Sequence, residues 1–150
     1  MVGTVLITGA AARIGRVVAT GLAQDRWTVI VHYNKSSQRA EDLVSIINQH
    51  GGKAFALGAN LTVPGERDNL VEEARNLAQR PVTALINNAS TFDDDRVDNF
   101  TRGSYDHHMN VNLFAPIKLA QDFADQLPND ENGTIINICL LYTSPSPRDA

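Results

Sequence analysis

Hydrophobic and polar positions along the chain follow two rhythms that take turns. Short runs rich in aliphatic residues, at Thr4–Thr8, Thr28–His32, Lys53–Leu57, Val82–Asn87 and Thr134–Ile138, read as strands; most are apolar on both faces, as in a buried parallel sheet. Between them the apolar spacing changes to three and four. Ala40, Leu43, Val44 and Ile47 mark one helix, Leu70, Val71, Ala74, Leu77 and Ala78 a second, and Leu113, Ile117, Ala120, Ala124 and Leu127 a third, each with one apolar face. A further helix is predicted to start near Arg13. Gly51-Gly52 ends one helix, Thr62 and Pro64 open the next, and Pro81 closes it. No repeat of solenoid length and no linker before residue 139 interrupts this order. Five strand–helix units in succession predict a doubly wound α/β fold with a parallel sheet, whose ligands gather at the carboxyl ends of the strands.

The polar residues agree with that rule. Gly9 follows the first strand, Asn34-Lys35-Ser36 the second, Asn60-Leu61 the third and Asn87-Asn88-Ala89-Ser90 the fourth, so all four groups fall on one edge of the predicted sheet. The turn Thr8-Gly9-Ala10-Ala11-Ala12-Arg13-Ile14-Gly15 reads as a phosphate cradle. Its small residues let the backbone turn sharply and approach a ligand, and the free amides and dipole of the helix that follows suit an anion.

Composition narrows the partners. With 150 residues, 43% of them hydrophobic, and a formal charge of −4, the chain is about one domain long and carries no basic run for nucleic acid or a membrane surface. The lone Cys139 excludes an internal disulfide and a Cys-rich metal site, and suits a reducing cytoplasm. No stretch is long enough to span a bilayer, and the first strand begins too early to leave room for a signal peptide. Asp93-Asp94-Asp95 reads as solvated loop chemistry, and adjacent His107 and His108 as surface residues; no metal site is expected.

The second strand chooses the nucleotide. A cofactor with a free ribose 2′-hydroxyl calls for Asp or Glu about twenty residues past the glycine turn, and none is there. The chain reads His32-Tyr33-Asn34-Lys35-Ser36 instead, and Arg13 adds a second cation from the first turn. These donors suit a 2′-phosphate, so NADP(H) is the expected cofactor.

From residue 1 to about 138 the chain resembles the short-chain dehydrogenases/reductases. The marks are Thr8-Gly9 with Gly15, the run Asn87-Asn88-Ala89, and Asn112 with Ala115-Pro116 inside a long helix. Arg13 replaces the usual middle glycine of the first turn. With His32-Tyr33-Asn34-Lys35-Ser36 and Asn88-Ala89-Ser90-Thr91-Phe92, that replacement resembles the pteridine reductase branch. The resemblance implies a Rossmann-like domain in a homo-oligomeric parent, with Thr8, Gly9, Arg13, Ile14, Gly15, Asn34, Lys35, Ser36, Asn60, Leu61, Asn88, Ala89 and Ser90 around the cofactor. It makes Phe92 a platform for a pterin ring. It also gives Asn112 a catalytic part, holding a water in a proton relay. Pro116 has no N–H to offer the Asn112 carbonyl four residues back, so a helix kink is predicted there.

The family's chemistry also needs a Tyr with a Lys four residues on, and a Ser or Asp just past the fifth strand. Tyr33, Tyr105 and Tyr142 are followed at that distance by Ser37, Met109 and Ser146, and the position past the fifth strand falls at or near Leu140. From Cys139 the family pattern stops. The segment from Cys139 to Ala150 resembles the translation of a transposase-type sequencing adapter, so residues 1–138 are expected to be the N-terminal part of a domain and 139–150 a non-native, disordered tail. A natural short tail is the competing expectation. On this reading the chain is an inactive fragment of an NADPH-dependent reductase acting on a C=N or C=O bond, with Ile135, Ile136 and Ile138 on an exposed apolar edge. The alternatives are another carbonyl- or alcohol-directed member of the family and a non-catalytic nucleotide-binding module.

Overall fold

A computed structural model describes residues 2–93, 96 and 98–138. The expected tail at 139–150 and the carboxylates of Asp94 and Asp95 lie outside the described residues. The five strands are β1 (Thr4–Ile7), β2 (Thr28–Tyr33), β3 (Lys53–Gly58), β4 (Ala84–Asn87) and β5 (Thr134–Asn137). They form one parallel sheet in the order β3-β2-β1-β4-β5. The predicted doubly wound α/β architecture is therefore the observed one.

Alternation along the strands makes two cores. Val5 and Ile7 of β1 and Val29 and Val31 of β2 turn to one face, where they meet α1 (Arg13–Gln24) and α2 (Ser37–Gln49) through Ala19, Ala23, Leu43 and Ile47. Leu6, Ile30 and Leu85 turn to the other face, against α3 (Pro64–Ala78) and α5 (Ala115–Gln126) through Leu70, Val71, Ala74, Leu119 and Phe123. Each fully buried Val, Leu or Ile among them contributes about 1.5–3 kcal/mol. Together they fix the carboxyl ends of β1 to β4 on one rim.

Three local expectations are corrected. Val82 lies outside β4, because its N–H is taken by Gln126 Oε1 at 3.1 Å instead of a neighbouring strand. Thr62 does not cap α3; its hydroxyl bonds Asn60 Oδ1 at 2.8 Å, and Val63 holds the N-cap position without a side-chain bond. The largest correction concerns the last helix. Its buried face is Ala115, Leu119 and Phe123, while Leu113 and Ile117, predicted to face inward, are exposed. Two apolar stripes run along this segment, and the sheet accepts only one.

The predicted kink at Pro116 takes a specific form. The chain runs through α4 (Arg102–Met109), a π-helical turn (Asn110–Phe114) and α5, so one long helix becomes three pieces. A wider turn at this point accommodates the donor that proline lacks. On the far side of the sheet β5 is an edge, with Ile135 and Ile136 exposed as expected and Ile138 packed in part against the first core.

Candidate active site

The cavity of about 350 Å³ on the carboxyl rim is lined by residues of the loops after β1 to β4, the start of α1, the end of β2, α4 and the π turn. Nine of the thirteen expected cofactor residues line it: Gly9, Arg13, Ile14, Asn34, Asn60, Leu61, Asn88, Ala89 and Ser90. Thr8, Gly15, Lys35 and Ser36 do not.

Two glycines make the turn after β1 possible. Gly9 has φ +64°, and a Cβ there would lie 3.0 Å from Ala89 Cα. A Cβ on Gly15 would lie 2.6 Å from Asn88 Nδ2 and 2.7 Å from the Gly9 carbonyl, so that position is closed to any side chain. Arg13 stands between them with φ +50°, a left-handed conformation that a residue with a Cβ adopts at a cost. The helix's first bond after it runs from the Arg16 amide to the Ala12 carbonyl, at 3.2 Å. The amides of Arg13, Ile14 and Gly15 precede that bond and have no intrahelical acceptor.

Several polar groups at this edge hold one another. Thr8 Oγ1 accepts the amides of Asn88 and Ala89 at 3.0 and 2.9 Å, and Asn88 Nδ2 donates to the carbonyls of Thr8 and Gly9 at 2.8 and 3.1 Å. Thr8 and Gly15 are thus parts of the frame and do not reach the cavity. Asn60 Oδ1 accepts the Thr62 amide at 3.0 Å and so shapes the turn after β3. Lys35 and Ser36 are exposed, and Ser36 takes the N-cap position of α2 without using its hydroxyl.

His32 was placed by sequence only in a string of donors, yet it is the most enclosed polar group of the wall. It is buried, and burial pushes its imidazole down from 6.5 to about 4 despite the raising effect of the bond to the Ala59 carbonyl. Nε2 lies 2.9 Å from that carbonyl and Nδ1 accepts the Gly9 amide at 3.1 Å. Its own carbonyl accepts the Ala10 amide at 2.9 Å. The amides of Gly9 and Ala10 are thus engaged within the turn, ahead of the helix-start amides that the sequence offers to an anion.

The loop after β4 is held from α4 and the π turn. Asn112 grips the backbone of Thr91 twice, with Oδ1 accepting its N–H at 2.9 Å and Nδ2 donating to its carbonyl at 2.8 Å. His107 Nε2 lies 3.2 Å from Thr91 Oγ1, and His108 Nε2 accepts the Asp93 amide at 2.9 Å. His107 is exposed, as expected, and His108 is half-buried, and both still hold this loop. His107 and Val111, which sequence reasoning missed, line the cavity, as do Ala12 of the predicted cradle and Thr91. Phe92 is 90% exposed and does not line the cavity. Among the described residues no three metal-ligating side chains gather, and no helix is long and apolar enough to cross a membrane.

A parallel α/β sheet with a glycine turn, a helix amino end and a cavity on the same rim defines a nucleotide-binding domain of the dehydrogenase type. Residues 3–145 match the short chain dehydrogenase family, and the chain belongs to it. It is 31% identical over 138 residues to an oxidoreductase of Methylorubrum extorquens, covering 92% of this chain and 54% of that protein. It is 30% identical to the 3-oxoacyl-[acyl-carrier-protein] reductase FabG of Staphylococcus epidermidis, covering 91% of this chain and 55% of the relative. Among solved structures, FolM alternative dihydrofolate reductase 1 of Brucella canis, complexed with NADP, superposes with a TM-score of 0.85 at 34% identity, covering 91% of this chain and 54% of FolM. The chain spans about half the length of the curated relatives it matches.

Proposed function

We propose that residues 1–138 are the cofactor-binding part of an NADPH-dependent reductase of the pteridine reductase branch, which delivers hydride to a C=N or C=O bond. The observation that carries this reading is the cavity wall: Arg13 supplies a cation, and among the described residues no carboxylate lines it. A 2′-phosphate finds donors there, with exposed Lys35 and Ser36 next in sequence to Asn34, whereas a free 2′-hydroxyl would lack its acceptor. The amides of Arg13 and Ile14, both in the cavity wall and without an intrahelical acceptor, suit the remaining phosphates. When bound, NADPH would supply the hydride.

Phe92 is too exposed to be a core plug and offers a flat aromatic face to a heterocycle. The similarity to FolM, a dihydrofolate reductase by name, supports a pterin as the substrate class. Asn112 fixes the loop that carries Ser90 and Phe92, and Pro116 has no N–H to serve as the α-helical donor to its carbonyl. No tyrosine here has a lysine four residues on, so the chain alone is expected to bind cofactor without turnover. Carbonyl reduction is the second reading, favoured by the similarity to FabG.

Titration calorimetry with NADPH and NADH tests the cofactor. NADPH is expected to bind at least about tenfold more tightly, a difference of about 1.4 kcal/mol. Equal affinities refute the 2′-phosphate assignment. Quenching of dihydrobiopterin fluorescence by the NADPH-loaded chain, absent in Phe92→Ala, separates the pterin reading from the carbonyl one.

A further inference from the structure

We infer that His32 is the positioning residue of the phosphate turn, holding the loop after β1 in register with the loop after β3 through a single neutral tautomer. Three hydrogen bonds converge on this residue. Nδ1 accepts the Gly9 amide at 3.1 Å, Nε2 lies 2.9 Å from the Ala59 carbonyl and therefore carries the proton, and the His32 carbonyl accepts the Ala10 amide at 2.9 Å. Gly9 is the residue with φ +64°, and Ala59 directly precedes Asn60 and Leu61 in the cavity wall. One buried ring thus ties a left-handed glycine to the opposite wall. The protein partners of its two nitrogens are backbone groups alone, so no neighbouring charge sets its tautomer. With the Gly9 amide engaged by His32, the helix-start amides of Arg13 and Ile14 are the turn's donors in the cavity wall. An aliphatic residue of similar size would fill the space and leave Gly9 without its acceptor.

The consequence for affinity takes the cavity to be the nucleotide site proposed above; the consequence for the turn does not. Three replacements separate the bonds. His32→Leu keeps volume and loses both; His32→Asn puts Oδ1 near the place of Nδ1 and keeps the acceptor for Gly9; His32→Gln keeps only the donor to Ala59. In His32→Leu and His32→Gln the amides of residues 9–15 are expected to exchange about tenfold faster and NADPH to bind about tenfold more weakly, while His32→Asn restores both to within about threefold. A residue that only fills space gives the other order, with Leu nearest to wild type, and that order overturns the inference. If His32→Leu does not fold, the Asn and Gln variants still decide between the orders. Imidazole nitrogen shifts of the wild-type chain give a separate check: a proton on Nδ1 overturns the inference. A wild-type chain that binds no NADPH refutes the functional reading alone, since exchange in the turn still decides the role of His32.

Discussion

Arg13 occupies a left-handed backbone at φ +50°, where a glycine would be at ease. The strain implies that the side chain is retained for what its cation does. Arg13→Gly is therefore expected to stabilise the free protein by about 1 kcal/mol while removing most of the preference for NADPH over NADH. Urea unfolding and parallel titrations check both halves, and a loss of stability would show that the strain is not real. His32 makes a second prediction at this scale. Its folded value of about 4 lies below the ordinary 6.5, so between them the unfolded chain binds more protons. The stability is fully present above about pH 6.5, declines as pH falls, and levels off below about 4, a change of about 3 kcal/mol in total. The difference between wild type and His32→Asn, measured by urea unfolding across that window, isolates it from the carboxylates; no difference sinks the assignment of a neutral buried ring.

At the scale of elements, the α4–π–α5 segment is less a wall than a clamp on the loop after β4. Asn112 makes two of its contacts, both to Thr91. Asn112→Ala is expected to speed amide exchange at Ser90, Thr91 and Phe92 and to lower overall stability by only about 1 kcal/mol, because the bonds lie at an exposed site. Unchanged exchange in that loop would assign the clamp to the histidines. The same segment shows where local pattern misleads. Leu113, Ile117, Ala120, Ala124 and Leu127 have helical spacing as good as that of Ala115, Leu119 and Phe123, yet only the second set is buried. Periodicity announces an apolar stripe. Which stripe meets the sheet is decided by the π turn and by the packing of α5 on α3.

Among the described residues the molecule is a sheet of five parallel strands, and β5 at its end carries apolar side chains. Among the described residues Ile135 and Ile136 of β5 are 41% and 47% exposed, and an apolar strand at the end of a sheet invites pairing with another chain. Ile136→Lys is expected to raise the concentration at which the chain stays monodisperse in light scattering, with NADPH affinity unchanged within about twofold. Aggregation that persists would place the sticky surface elsewhere, on the exposed stripe of Leu113 and Ile117. The sequence by itself determined the alternation of strands and helices, the parallel sheet, the glycine turn and the rim on which the polar residues gather. Each of these is written in neighbours a few positions apart: spacing of two or of three to four, a small residue at a turn, a missing carboxylate after β2. Only the tertiary structure decided which polar groups on that rim are free. Thr8 and Asn88 lie 80 positions apart and become partners because β4 lies beside β1; His32 meets Gly9 because β2 lies on the other side. Hydrogen bonds between distant residues depend on which strands are adjacent and in what register. That information belongs to the assembled sheet, and no single stretch of the chain carries it.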